Sequence, residues 1–173
     1  TVTAAEDITT PDGTVRVKKG TVVATLTTDE KGKAETDKLY LGKYIVKETK
    51  APEGYLLNKK EFEVTLTYKD QTTEIIYGDV TVPDQPAKGK IRITKTDAET
   101  NKPIPLGAEF TVTAAEDITT PDGTVRAEKG TVVATLTTDD KGKAETDKLY
   151  LGKYVIKETK APEGYLLNEK EFE

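Results

Sequence analysis

Histidine, cysteine, methionine and tryptophan are all missing from this 173-residue chain. Their absence excludes Cys/His zinc and iron sites, thiol nucleophiles, Ser-His-Asp triads and disulfides. Whatever ties the chain together is not sulfur, and neither a metal nor another cofactor is expected. Aromatic residues make up 6%, too sparse without tryptophan for a sugar-stacking cleft around a pair of carboxylates. No apolar run is long enough to span a membrane and no leader pattern opens the chain, so no membrane insertion is expected of this segment. Basic residues form no cluster: 26 Lys and Arg stand among 31 Asp and Glu, for a net charge of −5. That balance argues against a nucleic-acid partner.

What is present is a repeat. Residues 1–63 recur as 111–173 with six differences, too close a match to be accidental. Val17/Ala127, Lys18/Glu128, Glu30/Asp140 and Lys59/Glu169 read as surface changes. Ile45-Val46 against Val155-Ile156 conserves volume, so the two copies should share one fold. A 110-residue period exceeds a solenoid unit, and each repeat is expected to be a whole domain.

The punctuation within a repeat is that of an all-β domain. Turn signals stand at Pro11-Asp12-Gly13, Asp29-Glu30-Lys31-Gly32, Leu41-Gly42, Pro52-Glu53-Gly54 and Tyr77-Gly78-Asp79. Between them lie strand-like runs at 21–28, 43–49, 61–68 and 73–82, which predict a β-sandwich. Residues 29–39 are the only polar stretch with room for a helical turn. DQPAKG (84–89) reads as a linker, giving domains 1–84 and 88–173 around residues 85–87. In that frame the first domain has no counterpart of KIRITKTD (90–97). The second has none of VTLTYKDQTTEIIYGDVTV (64–82), so both read as truncated by the chain ends.

Side chains alternate faces along a strand. In KIRITKTD this puts Lys95 on the face of Ile91 and Ile93. In YIVKE, Glu48 shares a face with Tyr44 and Val46, and Glu158 repeats this with Tyr154 and Ile156. In VTVPD, Asp84 follows Val80 and Val82. A lysine, a glutamate and an aspartate thus each extend an apolar face inward. Burial disfavours their charged forms. A neutral lysine amine could attack the aspartyl carbonyl while a glutamic acid polarises it and moves protons, giving a Lys–Asp amide and water. The residues alone leave another reading open: Lys95 snorkels outward, Glu48 opens the following loop, Asp84 sits in a turn, or Lys and Glu form a buried ion pair without covalent chemistry.

The other motifs have simpler readings. DEKGKAETD (29–37) lacks the EF-hand pattern and reads as a hairpin loop. PDGT (11–14) is a turn with glycine at positive φ, and Tyr55 should pack against the sandwich edge. Neither an LPxTG sorting signal nor a YPKN-type lysine motif stands in this window.

Three segments resemble the Cna B-type (SpaA-like, prealbumin-like) domains of Gram-positive surface adhesins and pilins: IRITKTDAETNKPIPLGAEFTV (91–112), YIVKETKAPEGYLL (44–57) with its twin YVIKETKAPEGYLL (154–167), and VTVPDQPAKGKI (80–91). The second is similar to the pilin E-box. Asp84 stands where the family more often has Asn, although an Asp variant is also familiar. The resemblance implies tandem Ig-like/prealbumin-like sandwiches in which first and last strands lie adjacent and crosslinked. It makes Lys95 the isopeptide lysine, Glu48 and Glu158 the catalytic glutamates and Asp84 the acyl partner.

It further implies a spacer in an extracellular, wall-anchored stalk, with neighbouring repeats as partners and host matrix engaged through other domains. Such self-crosslinking is single-turnover, not an enzyme activity. The alternative is an adhesive module. Because Lys95 and Glu158 belong to one repeat and Glu48 and Asp84 to the other, no isopeptide within either domain of this chain is expected unless strands are exchanged between molecules; Lys95 and Asp84 each have their partner in a neighbouring full-frame repeat segment, not in each other.

Overall fold

Alternating β-branched and polar residues with frequent turn signals favour strands, and the structure is all-β. The computed structural model describes residues 1–105 and 107–173, among which there is no helix, including at 29–39. The chain separates into two compact units, Thr1–Gln85 and Pro86–Glu173.

The first unit contains β1 (Val2–Ala4), β2 (Ile8–Thr9), β3 (Val15–Val17), β4 (Val22–Ala24), β5 (Gly42–Lys47), β6 (Tyr55–Leu56) and β7 (Glu61–Leu66). A short strand, β8 (Gln85–Pro86), marks the division in sequence. The main sheet runs β4-β1-β5-β7 and is antiparallel throughout. Its register sets Val2 opposite Val46, Ala4 opposite Tyr44, and Tyr44 opposite Val64. Directly opposed residues share a face, so one apolar face results. Val2, Ala4, Ile8 and Tyr44 are buried there, with Val17, Val23, Leu26, Leu39, Val46 and Leu66 packed against them. Full burial of such an aliphatic side chain contributes roughly 1.5–3 kcal/mol. The Tyr44 hydroxyl donates to the Tyr40 carbonyl at 2.6 Å, satisfying its polar tip.

The second unit contains β9 (Lys88–Gly89), β10 (Arg92–Thr94), β11 (Glu109–Ala114), β12 (Ile118–Thr119), β13 (Val125–Ala127), β14 (Val132–Thr137), β15 (Lys143–Glu145), β16 (Leu149–Tyr150), β17 (Tyr154–Lys160) and β18 (Glu171–Phe172). Its sheet, β14-β11-β17-β18, repeats the first unit's pairings: Val112 opposes Ile156 and Ala114 opposes Tyr154. Ile104, Ala108, Phe110, Val112, Ala114 and Ile118 form its buried set. Of the sequence differences, those at 18/128, 30/140 and 59/169 are exposed. The surface reading fails at 17/127, where both residues are half-buried and Val17 packs on the core.

Identical sequences differ in structure where their partners differ. Lys143–Glu145 is a strand paired with β10, and Leu149–Tyr150 is a strand paired with β9. Lys33–Glu35 and Leu39–Tyr40 are not strands. The ladder partners come from residues 88–94, and among the described residues no segment takes their place in the first unit. The expected strand at 73–82 is likewise unformed. Strand propensity alone does not hold a segment without a ladder partner. Alternation nonetheless persists: Val80, Val82 and Asp84 are half-buried while Thr81 and Pro83 are exposed.

Candidate functional site

In the second unit, β10 delivers Lys95. Ile91, Ile93 and Lys95 are half-buried, whereas Arg92, Thr94 and Thr96 are exposed, as two-residue alternation demands. The Lys95 backbone is fixed on both sides: its N–H donates to the Gly142 carbonyl at 2.8 Å, and its carbonyl accepts from the Ile104 N–H at 2.9 Å. Its side chain is 13% exposed and reaches inward, so it does not snorkel. Nζ donates to Glu158 Oε2 at 2.9 Å and lies 2.8 Å from Oε1.

Glu158 comes from β17, and its side chain is wholly buried. Oε2 also accepts the backbone N–H of Asn168 at 2.8 Å, which anchors the carboxyl to the loop after the APEGY turn. Oε1 has no well-aligned hydrogen bond despite its closeness to the ammonium. An ion pair this deep is strongly destabilised when one partner is removed, because the other charge is then left in an apolar setting.

The first unit carries the complementary half. Glu48, the next inward residue beyond β5, accepts the Asn58 N–H on Oε2 at 2.7 Å. Asn58 also donates through Nδ2 to the Pro83 carbonyl at 2.7 Å, which holds the chain immediately before Asp84. The Asp84 carboxyl lies beside that of Glu48, and its Oδ1 is buried without a partner. Burial first, and the Glu48 carboxyl second, push the Asp84 carboxyl above the usual carboxylate range.

The structure therefore brings together Lys95 with Glu158, and Glu48 with Asp84, in separate units. Sequence reasoning found all four by phase but missed Asn58 and Asn168. Their signal is an asparagine ten positions after each glutamate, whose backbone rather than side chain makes the contact.

The remaining motifs are structural. Asp29 accepts from the backbone N–H groups of Lys31 and Lys33, each at 2.9 Å, around Gly32 at φ 71°. Asp12 accepts from Thr10 and Thr14 around Gly13. Among the described residues no cluster of acids suits a metal ion, and no helix is long and apolar enough to cross a membrane.

The SpaA prealbumin-like fold domain matches this chain twice, over residues 5–81 and 89–173. The chain belongs to this family. Among solved structures, the SpaA-type chain is similar to the Bacillus anthracis TIE protein, at 35% identity with a TM-score of 0.58. The similarity covers 85% of this chain and 24% of that one, so the chain spans about a quarter of that protein's length. No curated protein matches it. SpaA-type domains are structural domains typical of the pilin and adhesin stalks on Gram-positive surfaces.

Proposed function

We propose that each full SpaA-type repeat is a stalk spacer of a wall-anchored adhesin or pilin, locked by an autocatalytic amide between the Lys95-type amine and the Asp84-type carboxyl. The observation that carries this reading is the Lys95–Glu158 contact at 2.8 Å, with Glu158 wholly buried. Transfer of a proton from Lys95 to Glu158 leaves a neutral amine. In its acid form, which burial and the Glu48 carboxyl favour, Asp84 presents a carbonyl that glutamic acid can polarise. The amine nitrogen bonds to Asp84 Cγ, the C–O bond breaks, and the hydroxyl departs as water with a proton relayed by the glutamate. Both charges then leave the interior, and the covalent tie resists unfolding as a disulfide would. A near-exact repeat suits a part whose job is length, with neighbouring repeats as its partners.

Intact mass of a full-frame repeat, Lys88 onward through the counterpart of Asp84, tests this. The expected mass is one water below that of the sequence, and replacing Glu158 with Ala should restore the water. An unreduced mass in the unaltered repeat overturns the reading. A matrix-binding module is the second reading, but no specific observation in the described residues favours it.

A further inference from the structure

An aspartate followed by glycine is open to attack by its own backbone. The glycine amide nitrogen bonds to the aspartyl Cγ, the C–O bond breaks, and the amide proton and the hydroxyl leave as water. The resulting five-membered succinimide is opened by water at either carbonyl, giving back aspartate or giving isoaspartate. Glycine permits this because it has no side chain to hinder the approach and its backbone turns freely. In this chain glycine follows aspartate at only two places, Asp12-Gly13 and Asp122-Gly123, the same position in each repeat. Both pairs are exposed, between β2 and β3 and between β12 and β13.

The fold occupies both reacting groups. The Gly13 N–H donates to the Thr10 carbonyl at 2.9 Å, and the Gly123 N–H to the Thr120 carbonyl at 2.8 Å. Asp12 Oδ1 accepts from the Thr10 hydroxyl and from the Thr14 N–H at 3.1 Å, while Oδ2 accepts the Thr14 hydroxyl at 3.0 Å. Asp122 Oδ1 likewise accepts the Thr120 hydroxyl at 2.6 Å and the Thr124 N–H at 3.1 Å. Arg16 and Arg126 each donate through Nε to the first threonine's Oγ1 at 3.1 Å, which aims that hydroxyl's proton away from the guanidinium. From this geometry we infer that Asp12-Gly13 and Asp122-Gly123 are the isoaspartate-forming sites of the chain, and that their flanking threonines and turn bonds hold them unreacted in the folded protein.

The chemistry gives the bonds their effect. Cyclisation needs the acid form, since the carboxylate would have to expel an oxide, and hydrogen bonds from Thr10 first and Thr14 next favour the carboxylate of Asp12. Thr120 and Thr124 do the same for Asp122. Isoaspartate carries the main chain through the side-chain carboxyl and so adds a methylene to it. That insertion would fall between Thr9 and Val15, which face each other in a ladder whose next pair holds the buried Ile8.

Ageing of the 173-residue chain in mildly acidic buffer, folded or in urea, tests the inference. Tryptic peptides ending at Arg16 and Arg126 report the two sites separately by chromatography of the isomers. Both sites should isomerise roughly tenfold slower in the folded chain, where reaction waits on local opening. Thr10→Val with Thr14→Val should speed Asp12 several-fold and leave Asp122 slow in the same molecule, whereas Thr10→Ser with Thr14→Ser, which keeps both hydroxyls, should leave both slow. Equal rates at Asp12 and Asp122 in the valine variant, or an equally fast serine variant, overturn the inference. Asp12→Asn leaves the threonines untouched and reads the turn bond through loss of ammonia by the same ring closure. Deamidation as fast in the folded chain as in urea also overturns it.

Discussion

Two carboxyl groups of similar type meet different neighbours. Glu158 faces an ammonium, and Asp84 faces another acid with one oxygen unpartnered. Removing the Lys95 charge alone, as in Lys95→Met, should destabilise the second unit by about 3–5 kcal/mol in chemical denaturation, since Glu158 stays buried. Adding Glu158→Gln should recover most of that loss, because glutamine still accepts the Asn168 N–H. Asp84 carries a pH dependence. Its folded value is raised above 3.8, so its contribution is complete below that value and is lost as pH rises through the folded one. A carboxyl-carbon titration by NMR should place the Asp84 midpoint above 3.8 in the first unit, and Asp84→Asn should remove that pH dependence.

At the scale of the element, one turn sequence serves in two settings. Gly32 and Gly142 both sit at left-handed φ, 71° and 69°. A methyl on Gly32 would meet nothing within 4 Å, whereas one on Gly142 would lie 2.6 Å from the Ile104 carbonyl oxygen and 3.0 Å from that of Lys95. Gly32→Ala should therefore cost only the backbone strain, about 1–2 kcal/mol. Gly142→Ala should cost clearly more and loosen the Lys95 strand, as seen by faster amide exchange at Lys95 and Ile104. Asp70 shapes the turn ahead of the Asp84 segment. It accepts from the N–H and hydroxyl of both Thr72 and Thr73, which lowers its carboxyl to about 2. That support is present above pH 3.8 and is lost as pH falls through about 2. Asp70→Ala should speed exchange of the Thr72 and Thr73 amides at neutral pH.

These elements also show what the sequence could and could not reveal. Period-two alternation located Lys95, Glu48, Glu158 and Asp84, because burial follows face and face follows residue parity. It could not show that 73–82 would lack a ladder, or that the 33–35 and 143–145 twins would diverge. Pairing depends on a distant partner, and no local pattern encodes whether that partner is present. The backbone clamps from Asn58 and Asn168 were invisible for a related reason. A main-chain N–H belongs to every residue but proline, so its employment leaves no mark on composition.

For the whole molecule, the 110-residue repeat makes the two units near-copies that differ chiefly in which flanking strands they possess. A protease reads that difference directly. Lys33 and Lys38 lie on backbone without ladder bonds, while their twins Lys143 and Lys148 lie in or beside β15 and β16, which are paired. Cleavage requires an extended, released segment, and release from a ladder has a free-energy cost that an unpaired loop does not carry. Trypsin should therefore cut after Lys33 and Lys38 well before it cuts after Lys143 and Lys148, although the bonds it meets are chemically the same. A repeat flanked by its own first strand is thereby guarded at sites that its sequence alone would offer to digestion.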